Sequence, residues 1–153
     1  MANYGKVHAS GIDMTLSAGI SLAKNVQLLL SGGYMWQKAI DLTSSDAKNY
    51  KNQLPYTPLH SGSVSTVVET PWVNLGYSMV GVGKRYYLSQ NIPENEIEGY
   101  LEHTMTASRE FALGNCSLHL QAEIINLTDA QYDVIKYYPM PGRSWRLTAV
   151  FKF

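Results

Sequence analysis

The chain has 153 residues, and 16% of them are charged, against roughly 25% in an ordinary soluble domain. Its 12 basic and 12 acidic residues cancel to a formal charge of zero, which argues against nucleic acid, a partner that wants a basic stripe. Cys116 is alone, so an internal disulfide and a cysteine-rich metal site are both excluded.

Apolar residues recur every second position, and no stretch holds the 3.6-residue period of a helix. The first predicted strand covers about Lys6 to Ile20, with Ile12, Met14, Leu16, Ala18 and Ile20 on one face. A turn at 22–25 leads to a second strand, Val26 to Ile40, where Leu28, Leu30, Gly32, Tyr34 and Trp36 share a face. The polar segment Asp41 to Thr57 follows. A third strand runs from about Pro58 to Glu69 and a fourth from Trp72 to Lys84, joined by a minimal Thr70-Pro71 turn. Beyond the polar loop Arg85 to Glu98 come a fifth strand, Gly99 to Phe111, and a sixth, Ser117 to Asn126, joined by Leu113-Gly-Asn115. A third long loop, Leu127 to Gly142, precedes the last strand. That strand puts Trp145, Leu147, Ala149, Phe151 and Phe153 on one face and Ser144, Arg146, Thr148 and Lys152 on the other, with Val150 the exception.

Short and long connections alternate strictly, so an antiparallel meander gathers the short turns at one end and the long loops at the other. Transmembrane β-barrels show this asymmetry. Several predicted strands, at about 11–15 residues, exceed the usual 5–6 and suffice to cross hydrocarbon at a tilt. Strands in lipid must close into a barrel, and bacterial single-chain barrels carry even strand numbers. The expectation is therefore an all-β antiparallel meander of about seven strands that forms part of a larger transmembrane barrel. No spanning helix or signal peptide is visible, which reads as a mature or truncated chain.

Five stretches in order resemble the C-terminal barrel portion of TonB-dependent outer-membrane receptors. They are Asn3-Tyr-Gly-Lys-Val7 with Ser10-Gly-Ile-Asp13, Leu54-Pro-Tyr-Thr-Pro58 with His60, Gly83-Lys-Arg-Tyr86, Asn126-Leu-Thr-Asp129 with Tyr132, and Tyr138-Pro-Met-Pro-Gly-Arg143 leading to Phe153. The last two look most like the cobalamin and siderophore receptors. The resemblance implies that residues 1–153 are the C-terminal portion of a barrel of about 22 strands whose plug is absent here. It implies uptake of a scarce nutrient (iron–siderophore, haem or cobalamin) in the outer membrane of a Gram-negative bacterium. The partners so implied are outer-membrane lipid, the barrel-assembly machinery and, through the missing plug, the TonB complex. The fragment alone is not expected to transport. Trp145, Leu147, Phe151 and Phe153 would then form the assembly signal.

Tyr34, Trp36, Tyr77, Tyr86, Tyr87, Tyr137, Tyr138 and Trp145 suit interfacial aromatic girdles, while loop tyrosines Tyr50, Tyr137 and Tyr138 are candidate ligand contacts. His8, His60, His103 and His119 lack metal-ligand spacing, so structural roles are expected and no metal or cofactor is. Glu94, Glu96 and Glu98 read as a solvated loop tip, and Glu102, Glu123 and Arg146 as lumen-facing. Cys116 and the Asn126-Leu127-Thr128 sequon read as structural, and no nucleophile elbow or phosphate loop marks an enzyme. The alternative is a soluble β-barrel or sandwich whose apolar faces converge on a small apolar ligand. A fragment self-associating through open sheet edges is a third arrangement.

Overall fold

The computed structural model describes residues 5–153; Asn3 and Tyr4, at the start of the first resembling stretch, lie outside them. In chain order the strands are β1 (Val7–Ala23), β2 (Val26–Asp41), β3 (His60–Glu69) and β4 (Asn74–Val82). A two-residue pairing inside the next loop, β5 (Arg85–Tyr86) with β6 (Glu96–Ile97), precedes β7 (Tyr100–Leu113) and β8 (Cys116–Ile125). The short hairpin β9 (Asp133–Ile135) and β10 (Tyr138–Pro139) is followed by β11 (Ser144–Lys152). Seven of them make one antiparallel sheet in the order β1-β2-β3-β4-β7-β8-β11, the expected meander.

Register sorts the side chains into two faces. Trp36, Tyr34, Gly32, Leu30 and Leu28 of β2 lie opposite Ile12, Met14, Leu16, Ala18 and Ile20 of β1. The apolar row continues through Val68 of β3, Leu75 of β4, Ala107 of β7 and Ala122 of β8 to Leu147 of β11. The other face carries Ser65 against Ser78, Ser78 against Thr104, Thr106 against Glu123 and Glu123 against Arg146.

The apolar face is the uncovered one. Leu147 is 87% exposed, and Leu16, Trp145 and Phe151 are exposed with it. Among the described residues Ile97 is the only buried hydrophobic, whereas Asp41, Gln53, Arg85, Asn95, Glu123 and Asn126 are buried. A water-soluble domain does the opposite. Among the described residues no second apolar layer meets this face, so the convergent interior of a soluble barrel or sandwich does not form there. Lipid on the apolar side and a polar lumen on the other account for both distributions.

The turns correct the sequence reading locally. Lys24-Asn25 and Gly114-Asn115 are two-residue turns with Asn25 (φ 67°) and Gly114 (φ 68°) left-handed, a conformation that these residue types tolerate. The Thr70-Pro71 turn is longer than expected. Thr70 Oγ1 accepts the amides of Trp72 (3.2 Å) and Val73 (3.0 Å) and donates to the Val73 carbonyl (2.6 Å). The hydroxyl thus replaces ladder hydrogen bonds, and β4 starts at Asn74 rather than Trp72. Likewise β3 starts at His60, since Pro58 has no N–H to give a ladder.

Candidate functional site: the braced loop cap

The connections at 42–59, 83–99 and 126–143 all leave the same end of the sheet. Buried polar side chains hold them down and join them. Gln53 donates from Nε2 to the carbonyls of Gln37 (3.3 Å) and Thr57 (3.2 Å), and its Oε1 accepts the Ala39 amide (3.1 Å). One amide side chain thereby fixes the first loop to the upper end of β2. The Asp41 carboxylate, at the root of that loop, accepts from the Thr43 amide (2.8 Å) and Asn49 Nδ2 (2.5 Å).

The first loop then reaches the second. Asn91 accepts the Gln53 amide (2.6 Å) and donates to the Gln53 carbonyl (3.1 Å), while the Tyr56 amide donates to the Tyr86 carbonyl (2.7 Å). The second loop reaches the third through Arg85, which is 4% exposed. Its Nη2 donates to the carbonyls of Asp133 (2.7 Å) and Val134 (3.0 Å), and its guanidinium lies 5.6 Å from the Tyr100 ring centroid. Arg85 Nη1 is buried with no hydrogen-bond partner. Tyr100 stacks on Tyr132 with centroids 4.0 Å apart, and the Tyr132 hydroxyl donates to Glu102.

Burial, and then the Glu102 carboxylate, push the Tyr132 phenol well above its ordinary value. A raised native pKa stabilises the protonated, stacked arrangement fully below the ordinary tyrosine pKa of about 10, and that contribution falls away as pH rises beyond it. An absorbance titration of the intact protein at the phenolate band should therefore lose the titration of Tyr132 near pH 10 relative to unfolded protein. Tyr132→Phe should shrink that difference by one tyrosine, and an unchanged curve would contradict the Tyr132–Glu102 bond.

The base of the third loop is closed by Asn126, 0% exposed. Its side chain donates to the carbonyls of Ala130 (2.9 Å) and Pro141 (3.3 Å) and accepts the Ala130 amide (2.9 Å). At the tip, Lys136-Tyr137 connects β9 to β10. Lys136 Nζ donates to the Glu96 carbonyl (2.9 Å) and lies over the rings of Tyr87 (5.9 Å) and Tyr137 (5.7 Å). Tyr87 and Tyr137 meet edge to face at 6.1 Å, and the neighbouring Tyr137 hydroxyl raises the Tyr87 pKa. Tyr137 is left-handed (φ 69°), its amide donates to Asp133 Oδ2 (2.9 Å), and it is 74% exposed. A bulky residue at positive φ is strained, so this exposed ring is held against its local preference.

Of the sequence candidates, Tyr137 and Tyr138 stand exposed on the hairpin. Tyr50 sits on the first loop with Lys51 over its ring at 5.4 Å and shares no ring contact with either. Glu94 and Glu98 are exposed as expected, but Glu96 is half-buried and pairs with Lys84 at 3.1 Å; its carbonyl is the Lys136 acceptor, so it is a brace rather than part of a solvated tip. Glu123 and Arg146 form an ion pair on the polar face, and Glu102 is taken by Tyr132. Trp145, Leu147, Phe151 and Phe153 are all exposed along the apolar face, with the two phenylalanine rings 6.1 Å apart. Among the described residues no group of His, Cys, Asp and Glu is placed to hold a metal ion. Gln53 and Arg85, the main braces, were not singled out as site residues from sequence.

An apolar outer face, a polar inner face and a loop cap at one end define a wall of a transmembrane β-barrel. The family model described as TonB dependent receptor-like, beta-barrel, matches residues 1–127, and the chain belongs to that family. Among solved structures, BauA, the ferric preacinetobactin receptor from Acinetobacter baumannii, superimposes with a TM-score of 0.71 at 13% identity, over 96% of this chain and 27% of that one. The ferric-catecholate import receptor Fiu from E. coli K12 superimposes with a TM-score of 0.74 at 24% identity, over 97% of this chain and 21% of that one. Those likenesses show the fold, and the chain spans about a quarter of either receptor. No curated protein matches the sequence.

Proposed function

We propose that residues 1–153 form the C-terminal barrel wall of a receptor that imports a ferric siderophore across the outer membrane of a Gram-negative bacterium. The siderophore is preferred to haem or cobalamin because two of the structural neighbours, BauA and Fiu, are by name a ferric preacinetobactin receptor and a ferric-catecholate import receptor. Gating and coupling to the TonB complex belong to a plug outside this chain, and the wall alone does not transport. Outer-membrane lipid covers the apolar face, and the remaining strands of the parent barrel complete the open edges at β1 and β11. Trp145, Leu147, Phe151 and Phe153, aligned along the β11 edge, are what the barrel-assembly machinery grips by strand addition.

The observation that carries the uptake reading is the strained, exposed Tyr137 on a hairpin braced by Arg85 and Lys136. Pre-organised aromatics give contact area at low entropic cost. In the intact receptor, Tyr137→Ala should weaken ferric-siderophore binding about tenfold or more, as expected of an aromatic hot spot. Tyr138→Ala should weaken it less, and Tyr50→Ala least, because Tyr50 is half-buried beneath its own lysine. Equilibrium binding of the purified receptor to a ferric catecholate reads this directly, and an unchanged Kd for Tyr137→Ala would overturn the assignment.

A further inference from the structure

Two tyrosine–histidine pairs repeat one geometry on the lipid-facing side. Tyr34 of β2 lies directly opposite Gly62, and Tyr77 of β4 directly opposite Met105. In each case the tyrosine hydroxyl meets Nδ1 of a histidine placed two residues nearer the long loops, His60 or His103, at 2.7 Å. Both phenols thus reach toward the aqueous end, as polar tips in a bilayer do. With Nδ1 engaged, Nε2 is the one nitrogen of each ring without a partner among the described residues. In the tautomer in which the tyrosine hydroxyl donates to Nδ1, Nε2 carries the proton, and an unsatisfied ring N–H is costly in hydrocarbon.

Both histidines line one groove of about 850 Å³. The directly paired Gly62 and Gly81 lie in it, and their missing side chains lower the surface beside Leu101, whose Cδ2 rests against Gly81. Val64, Met79 and Leu101 flank these glycines, and Thr128 and Gln131 of the third loop stand at the groove's upper end. The groove is therefore amphipathic, apolar along the glycines and polar where the loops begin.

We propose that this groove is a specific site for a phosphate-bearing membrane lipid of the outer leaflet. One saturated acyl chain lies over Gly62 and Gly81, and the headgroup oxygens accept from His60 and His103. A saturated chain fits along the paired glycines, and phosphate oxygens supply the acceptors that the two rings lack. The inference rests on the proposed membrane reading of the apolar face and adds one bound lipid to it.

The test uses the intact receptor, delipidated in detergent and titrated with dipalmitoyl phosphatidylglycerol under native mass spectrometry. Wild type should retain one lipid. His60→Phe/His103→Phe, which keeps the apolar bulk, should bind it about tenfold more weakly, and so should Gly81→Leu, which fills the space over the glycines. The only side-chain atom a Cβ at Gly81 would crowd is the flexible Leu101 Cδ2, so this variant is expected to fold; heat-modifiable gel mobility checks that. Dipalmitoylglycerol, lacking phosphate, should bind more weakly than the phospholipid. Equal retention by wild type and both variants, or equal binding of the two lipids, overturns the site. Ferric-siderophore binding should be unchanged in both variants, so failure here is separable from failure of the receptor reading.

Discussion

Ala122→Arg should cost the intact, membrane-inserted receptor about 2–4 kcal/mol, the depth-dependent penalty for a guanidinium on the lipid side of a barrel at the bilayer midplane. Ala122 sits in mid-wall, between Ala107 of β7 and Leu147 of β11, and it is exposed on the apolar face. Its neighbour Gln121 points to the polar face between Ser108 and Thr148. Gln121→Arg should therefore change stability by well under 1 kcal/mol, as lumen substitutions do. The comparison is sharp because one residue along the strand reverses the face. Were the apolar face in water, an exposed Arg at position 122 would stay within about 0.5 kcal/mol of neutral. Reversible unfolding of the receptor from lipid vesicles measures both variants, and equal costs would contradict the assignment of faces.

The second large effect is expected at Arg85. Arg85→Ala removes two charge-assisted hydrogen bonds to the Asp133 and Val134 carbonyls and the contact with Tyr100. Hydrogen bonds to a charged group contribute about 1.5–3 kcal/mol each, so local opening of the 133–139 hairpin should become easier by about 3 kcal/mol. Tenfold corresponds to about 1.4 kcal/mol, so the amides of Tyr137 and Met140, bonded to Asp133 and the Tyr132 carbonyl, should exchange on the order of 100-fold faster. Arg85→Lys should recover only part of this, because an ammonium lacks the planar fork that spans two carbonyls. Exchange indistinguishable from wild type in Arg85→Ala would show that the loops hold together without it.

The wall was legible from sequence because its information is local. Alternation in β2, β7 and β11 specifies the two faces within a few residues, and β2 departs from the expected strand by a single residue, ending at Asp41. Where local chemistry competes, the boundaries moved, as at Thr70, whose hydroxyl substitutes for the ladder. The loop cap was not legible for the opposite reason. Gln53 meets Asn91 across 38 residues, and Arg85 meets Asp133 and Val134 across 48 and 49. Nothing in either local segment announces those partners. His60 and His103 looked scattered because each partner tyrosine lies 26 residues earlier, on the adjacent strand. The tyrosines themselves carried a usable signal. Tyr137 was a candidate from its place in a loop, but its positive φ, which marks it apart from Tyr50, exists only in the folded hairpin.

The most direct test of the central claim is a nitroxide scan along β7 in the intact receptor, from residue 101 to residue 108, comparing collisions with oxygen and with a water-soluble nickel chelate. Oxygen concentrates in hydrocarbon and the chelate in water, so labels at 101, 103, 105 and 107 should favour oxygen, and labels at 102, 104, 106 and 108 the chelate, with a period of two. Chelate access at both sets, or oxygen access confined to the even positions, would contradict a barrel wall with its apolar face in lipid.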